Sequence, residues 1–298
     1  MKQEFWVNTI LGSVRAWKIG KKKSKHRIVI LMGLGEFCEK YLGFISFLNE
    51  QGYETLIFDW PGLGLSGNFG NYPSTSHSEG FDDLVKAGCD VIEQIGWGSQ
   101  SFYIIGHSMG GHLAFRLASL QKFQVNGIIA LSPMIMPKIK LSFLIYIIAK
   151  IVSIVGFRKY LIPQTGQKTL LKTRKFSSNN LLSRNRETIE HVISLINKNP
   201  SLGRSGVSFG WLSSALFSCY NSTLNPVFLK SIKPTVMILV GSEDKLVSIT
   251  AIKKTIGLLQ NGQLICFNCA RHELYIELPL VVEQIKSCIV GFISETQE

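Results

Sequence analysis

The chain has 298 residues, 46% of them hydrophobic and 17% charged. That is too apolar for a disordered chain and ample for a large core of one α/β domain with an insertion, or two ordinary domains. The net charge of +12 is uneven: Lys138 to Lys230 holds 14 of the 32 Lys and Arg but only Glu187 and Glu190 among the 20 acids, so the rest of the chain is neutral. Such asymmetry marks a segment with its own task.

In chain order, Phe5–Ile10 and Val14–Ile19 alternate around Gly12-Ser13 as a hairpin, and Arg27–Met32 reads as a buried strand. Glu39–Gln51 is helical, Glu54–Trp60 a strand, Glu79–Ile95 an amphipathic helix, Ser101–Ile105 a strand and Met109–Gln121 a helix. Val125–Leu131 is a further strand. Beyond the basic segment, Pro234–Val240 (strand), Ser248–Leu259 (helix), Gly262–Phe267 (strand) and Leu274–Ile293 (helix) complete the pattern. Strands alternating with helices imply a mostly parallel sheet with helices on both faces, and ligands in such sheets sit at the carboxyl ends of the strands.

The N-terminus lacks the apolar core of a secretory signal, so a cytoplasmic location with reduced thiols is expected. Cys266 and Cys269 form the only close cysteine pair and are expected to serve packing. The apolar stretch Leu141–Phe157 is interrupted by Lys150 and flanked by Lys138, Lys140, Arg158 and Lys159. It is too short and too charged to span a bilayer. An interfacial or pocket-lining role is expected, with the basic segment, including Lys172, Arg174 and Lys175, facing an anionic membrane surface at the inner membrane face. Basic residues beside an apolar run, without interleaved aromatics on strands, do not suit nucleic acid.

The turn after Ile105 reads Gly106-His107-Ser108-Met109-Gly110-Gly111, a G-x-S-x-G between a strand and a helix. A sharp strand-to-helix turn leaves no room for Cβ atoms beside the serine and lifts Ser108 to the sheet edge as a nucleophile. A serine needs a base, and the base an orienting acid. The turn after Val240 offers Asp244 or its neighbour Glu243, and the turn after Phe267 offers His272. Backbone N–H groups of Met109 and of Leu34, in the loop after the first parallel strand, are the candidate oxyanion donors. Gly62-x-Gly64-x-x-Gly67 imitates a dinucleotide fingerprint, but loop follows where a helix must start. His272-Glu273 has Ile276 where a zinc motif needs its second histidine, so neither metal nor cofactor is expected.

Taken with Gly33-Leu34-Gly35-Glu36 and Tyr41, Asp59-Trp60-Pro61-Gly62-Leu63-Gly64-Leu65-Ser66-Gly67, Asp83-Leu84, Ser132-Pro133, Gly241–Asp244 with Val247, and His272-Glu273-Leu274, the chain resembles the α/β-hydrolase superfamily. Within it, the likeness is to the lysophospholipase and monoacylglycerol-lipase branch that includes the serine aminopeptidase-like hydrolases. One departure is Met32, where the family has a histidine. The resemblance implies an α/β-hydrolase core over 1–137 and 231–298 and an inserted, largely helical cap over 138–230. It puts the acid at Asp244 and implies a serine hydrolase of lipid-like carboxylic esters, lysophospholipid or monoacylglycerol. The alternatives are a small-molecule carboxylesterase or serine peptidase, and a lipid-binding protein without turnover.

Overall fold

The structure, a computed structural model, describes residues 1–21, 24–163 and 176–296. Lys172, Arg174 and Lys175 lie outside the described residues. Ten strands are described: β1 (Lys2–Thr9), β2 (Gly12–Ile19), β3 (His26–Leu31), β4 (Tyr53–Phe58), β5 (Thr75–Ser76), β6 (Phe102–His107), β7 (Val125–Leu131), β8 (Ser205–Val207), β9 (Thr235–Gly241) and β10 (Gly262–Phe267). The helices are α1 (Leu42–Glu50), α2 (Phe81–Gln94), α3 (Met109–Ser119), α4 (Ser142–Val152), α5 (Arg186–Lys198), α6 (Phe209–Asn221), α7 (Pro226–Lys230), α8 (Ile249–Ile256) and α9 (Pro279–Glu295).

Eight strands form one sheet in the order β1-β2-β4-β3-β6-β7-β9-β10. The β1–β2 hairpin adds antiparallel to β4, and the rest of the sheet is parallel. Ile28–Leu31, Ile104 and Ile128–Leu131 on the central strands are buried, as expected of a parallel sheet covered on both faces. The fold is that of an α/β-hydrolase.

Three sequence expectations need correction. The strand before the elbow runs through Gly106 and His107, because both continue the ladder with Ala130 and Leu131 of β7. The expected closing helix breaks into a short 3-10 turn, Leu274–Ile276, and α9, because Pro279 lacks the N–H a continuous helix requires and instead starts α9. Cys266 and Cys269 are exposed rather than packed.

Between β7 and β9, which are sheet neighbours, the described chain builds α4 to α7, with β8 between α5 and α6 pairing in parallel with β5. α4 enters from Leu141, a left-handed residue, and ends in a turn at Gly156, also left-handed. Phe143, Leu144, Ile148, Ile151 and Val155 are exposed, whereas Tyr146, Lys150, Ser153 and the edge of Ile154 line a cleft of about 380 Å³ against Arg116 and Phe217. Among the described residues no helix is long and apolar enough to cross a membrane.

Candidate active site

β6 delivers the chain into α3 through Ser108, whose φ of 50° and ψ of −113° are strained for a residue with a Cβ. Its amide donates to Leu131 O at 3.0 Å, and its carbonyl accepts from Met134 N at 2.8 Å, which fixes the turn. The side chain makes no capping bond, so the hydroxyl is not committed to the helix. The flanking glycines are required by contact. A Cβ on Gly106 would stand 2.6 Å from Gly110 O, and one on Gly110 would stand 1.9 Å from Leu31 O.

Asp244 and His272 follow β9 and β10, at the same edge of the sheet. His272 Nδ1 donates to Asp244 Oδ2 at 2.7 Å. The other carboxylate oxygen accepts from the amides of Leu246 (2.8 Å) and Val247 (3.1 Å). Burial would push the Asp244 carboxyl up, but His272 and the two amides outweigh it and hold the group below its ordinary value. Glu243, left open by residue reading alone, points elsewhere: it is partly exposed and pairs with Arg184. The His272 ring lies 4.9 Å from that of His107, the residue before Ser108.

Leu34 and Met109 line one small cavity together with Trp60, His77 and Trp211. Neither amide donates to an acceptor among the described residues. Met32, in the histidine position, is fully buried and its carbonyl accepts from Trp60 Nε1 at 2.9 Å.

Sequence reasoning missed a buried polar cluster behind these loops. Glu36 Oε2 accepts from Gly33 N (2.5 Å), Tyr41 OH (2.6 Å) and His107 Nδ1 (3.0 Å), while Oε1 accepts from Tyr275 OH (2.7 Å) and Lys40 Nζ (2.8 Å). Lys40 also reaches Glu273 Oε1 at 2.5 Å, and His107 Nε2 donates to the carbonyl of His272 at 3.3 Å. Burial would raise the Glu36 carboxyl, yet Lys40 and His107 hold it well below its ordinary value. Burial likewise opposes the charged forms of His107 and Lys40, but Glu36 and Glu273 raise both. Glu36 and Tyr41 carry the family resemblance in the sequence, but nothing local there marks them as bonded to each other.

The glycine-rich loop after β4 has a separate explanation. Asp59 Oδ2 takes Arg15 Nε at 2.9 Å and Leu65 N at 2.8 Å, and a Cβ on Gly64 would lie 2.3 Å from that carboxyl carbon. The glycines let the loop wrap a buried carboxylate. Among the described residues no group of His, Cys, Asp or Glu side chains is placed to hold a metal ion.

The family model for serine aminopeptidase, S33, matches residues 22–279. The chain belongs to this family. It is 25% identical over 230 residues to phospholipase YtpA of Bacillus subtilis, covering 76% of this chain and 79% of that protein. It is 23% identical over 282 residues to a probable lysophospholipase L2 of Haemophilus influenzae, covering 90% and 83% respectively. The crystal structure of a Paleococcus ferrophilus monoacylglycerol lipase superposes with a TM-score of 0.72 at 23% identity, over 95% of this chain and 99% of that one. The family member described here is thus an α/β-hydrolase.

Proposed function

We propose that the protein is a serine hydrolase that cleaves carboxylic esters of lipid-like substrates, lysophospholipid or monoacylglycerol, through an acyl-enzyme on Ser108. The observation that carries this reading is the strained, uncapped Ser108 at the same sheet edge as the bonded pair Asp244 and His272. His272 Nε2 takes the Ser108 proton as Oγ attacks the ester carbonyl, and Asp244 holds the imidazole and stabilises its charged form. The amides of Leu34 and Met109 receive the oxyanion. The tetrahedral adduct expels the alcohol, which leaves with the proton from His272. A water activated by the same histidine then releases the carboxylic acid.

The lipid-like substrate class draws support from the relatives' names, phospholipase and lysophospholipase, and from the exposed apolar face of α4. In this reading residues 138–230 are a cap, and its apolar face and lysines set it against an anionic membrane surface. The family's description favours a second reading, a peptidase acting on a free amino terminus. Such an enzyme needs a free carboxylate to receive the ammonium group. Glu36, Asp244 and Asp59 are each bonded already, whereas Glu273 gives one oxygen to Lys40 and has the other buried without a partner, so this reading is tested by the aminoacyl amides below.

The test is a turnover panel of lysophospholipids, monoacylglycerols, short-chain p-nitrophenyl esters and aminoacyl amides, run beside fluorophosphonate labelling. Lipid-ester turnover with labelling lost in Ser108→Ala is expected. Labelling without lipid turnover would move the substrate to small esters or peptides, and absence of labelling would refute the serine mechanism.

A further inference from the structure

We propose that Glu36 is a positioning residue for the Ser108 reaction, its ionised carboxylate holding the oxyanion loop, the nucleophile elbow and the histidine loop in one register. This rests on the hydrolytic reading given above. Each of the three loops contributes a donor. Gly33 N comes from the oxyanion loop, one residue before Leu34. His107 comes from the elbow, one residue before Ser108. Tyr275 comes from the histidine loop, three residues after His272.

Several features favour positioning over mere stability. Burying a carboxylate costs several kcal/mol, and an apolar group of the same volume commonly stabilises a core as well or better. A single carboxylate with five donors is therefore a poor choice unless geometry is what it secures. The fit around it is also close: a Cβ on Gly33 would lie 2.8 Å from both Glu36 Oε2 and His107 Nδ1, so the loop backbone is pressed directly onto the cluster.

His107 transmits the register further. Its two ring nitrogens face two acceptors, Glu36 Oε2 and the carbonyl of His272. Both bonds exist together only while the ring carries both protons. The groups facing it are Glu36 and Glu273, which favour the imidazolium, Lys40, which opposes it, and the rings of Tyr275 and His272 at 5.4 Å and 4.9 Å. Loss of the His107 proton frees one of the two loops.

The test compares the full-length wild-type chain with Glu36→Gln and Tyr275→Phe on a soluble p-nitrophenyl ester, with active sites counted by a phosphonate burst. Glu36→Gln places an amide NH2 among donors and removes the charge that keeps His107 protonated. A per-site kcat lower by roughly 10- to 100-fold is expected, as for other residues that orient catalytic groups from behind. KM should stay within about threefold, and the alkaline limb of the kcat profile should move to lower pH. Tyr275→Phe removes one hydroxyl and leaves the charges, so a smaller per-site loss with the wild-type pH limb is expected. A purely structural role would lower the thermal midpoint while leaving per-site kcat and the pH limb of both variants unchanged, and that result overturns the proposal. Should Glu36→Gln fail to fold, an unchanged per-site kcat in Tyr275→Phe overturns it alone. A wild-type chain that neither labels nor turns over ester would remove the hydrolytic reading and this proposal together, whereas an active wild type with unaffected variants removes only the positioning role.

Discussion

Replacing Phe143, Leu144, Ile148 and Ile151 together by serine should separate membrane docking from catalysis. These side chains on α4 are 63%, 53%, 50% and 55% exposed, so about half of each remains to be buried in a lipid interface. Full burial of such a side chain is worth about 1.5–3 kcal/mol, which leaves about 1 kcal/mol each and about 4 kcal/mol for the four. At about 1.4 kcal/mol per tenfold, the partition coefficient should fall between a hundredfold and a thousandfold. The flanking Lys138, Lys140 and Lys159 are untouched, and each adds about 1 kcal/mol at an anionic surface, screened by salt. Co-sedimentation with phosphatidylcholine vesicles, with and without phosphatidylglycerol, reads both contributions. The wild type should bind the anionic vesicles more tightly and lose affinity as salt rises. The quadruple variant should keep that salt dependence from a much lower baseline and hydrolyse a short soluble ester normally. Equal, weak wild-type binding to both vesicle types at every salt concentration would refute the reasoning, as would a variant that binds like the wild type.

Ser108→Ala should retain the fold by circular dichroism and lose about 10³-fold or more of ester turnover. Asp244→Asn should lower kcat by a similar order, while Glu243→Gln, which breaks only the partly exposed pair with Arg184, should lie within about threefold of wild type; the opposite ranking would exchange the two roles. Gly110→Ala should fail to give folded protein in a solubility and thermal-melt assay, because its Cβ would press into Leu31 O. Burial, with Arg116 nearby, pushes His112 down to about 3. The unfolded chain therefore binds the proton first, and the stability held by neutral His112 is present above about pH 6.5 and lost progressively as pH falls towards 3. Denaturant midpoints measured from pH 7 to 4 should fall less steeply in His112→Gln than in wild type.

Much of the fold was legible because β3, β6, β7 and β9 are continuous apolar runs between turn signals, a pattern with a local cause. The proposed roles of Ser108 and His272 rest on the strand-to-helix turn and the chain order, which restrict where a nucleophile and its base can stand. Residue reading left Glu243 and Asp244 open, since they are adjacent and only the backbone decides which of them faces His272. The Glu36 cluster was not legible. Its members are local neighbours only in part, and the bond from Tyr275 to Glu36 spans 239 residues, so sheet assembly alone creates it. The outward orientation of α4 was also hidden, because an apolar helix facing solvent and one facing a core have the same composition.

Glu36, Glu273, Lys40 and His107 form a buried cluster of two acids and two bases, and this restricts how the sequence can drift. Neutralising Lys40 alone would leave Glu273 without its ion pair and weaken the hold on Glu36. Neutralising Glu36 alone would leave both Lys40 and His107 with Glu273 as their only carboxylate in the cluster. Loss of Lys40 passes through a chain with an uncompensated buried carboxylate, at a cost of about 3–5 kcal/mol, a large share of a typical domain's stability, whereas loss of Glu36 is met by loss of the His107 proton. Substitutions at positions 36, 40, 107 and 273 should therefore enter related chains in compensating pairs.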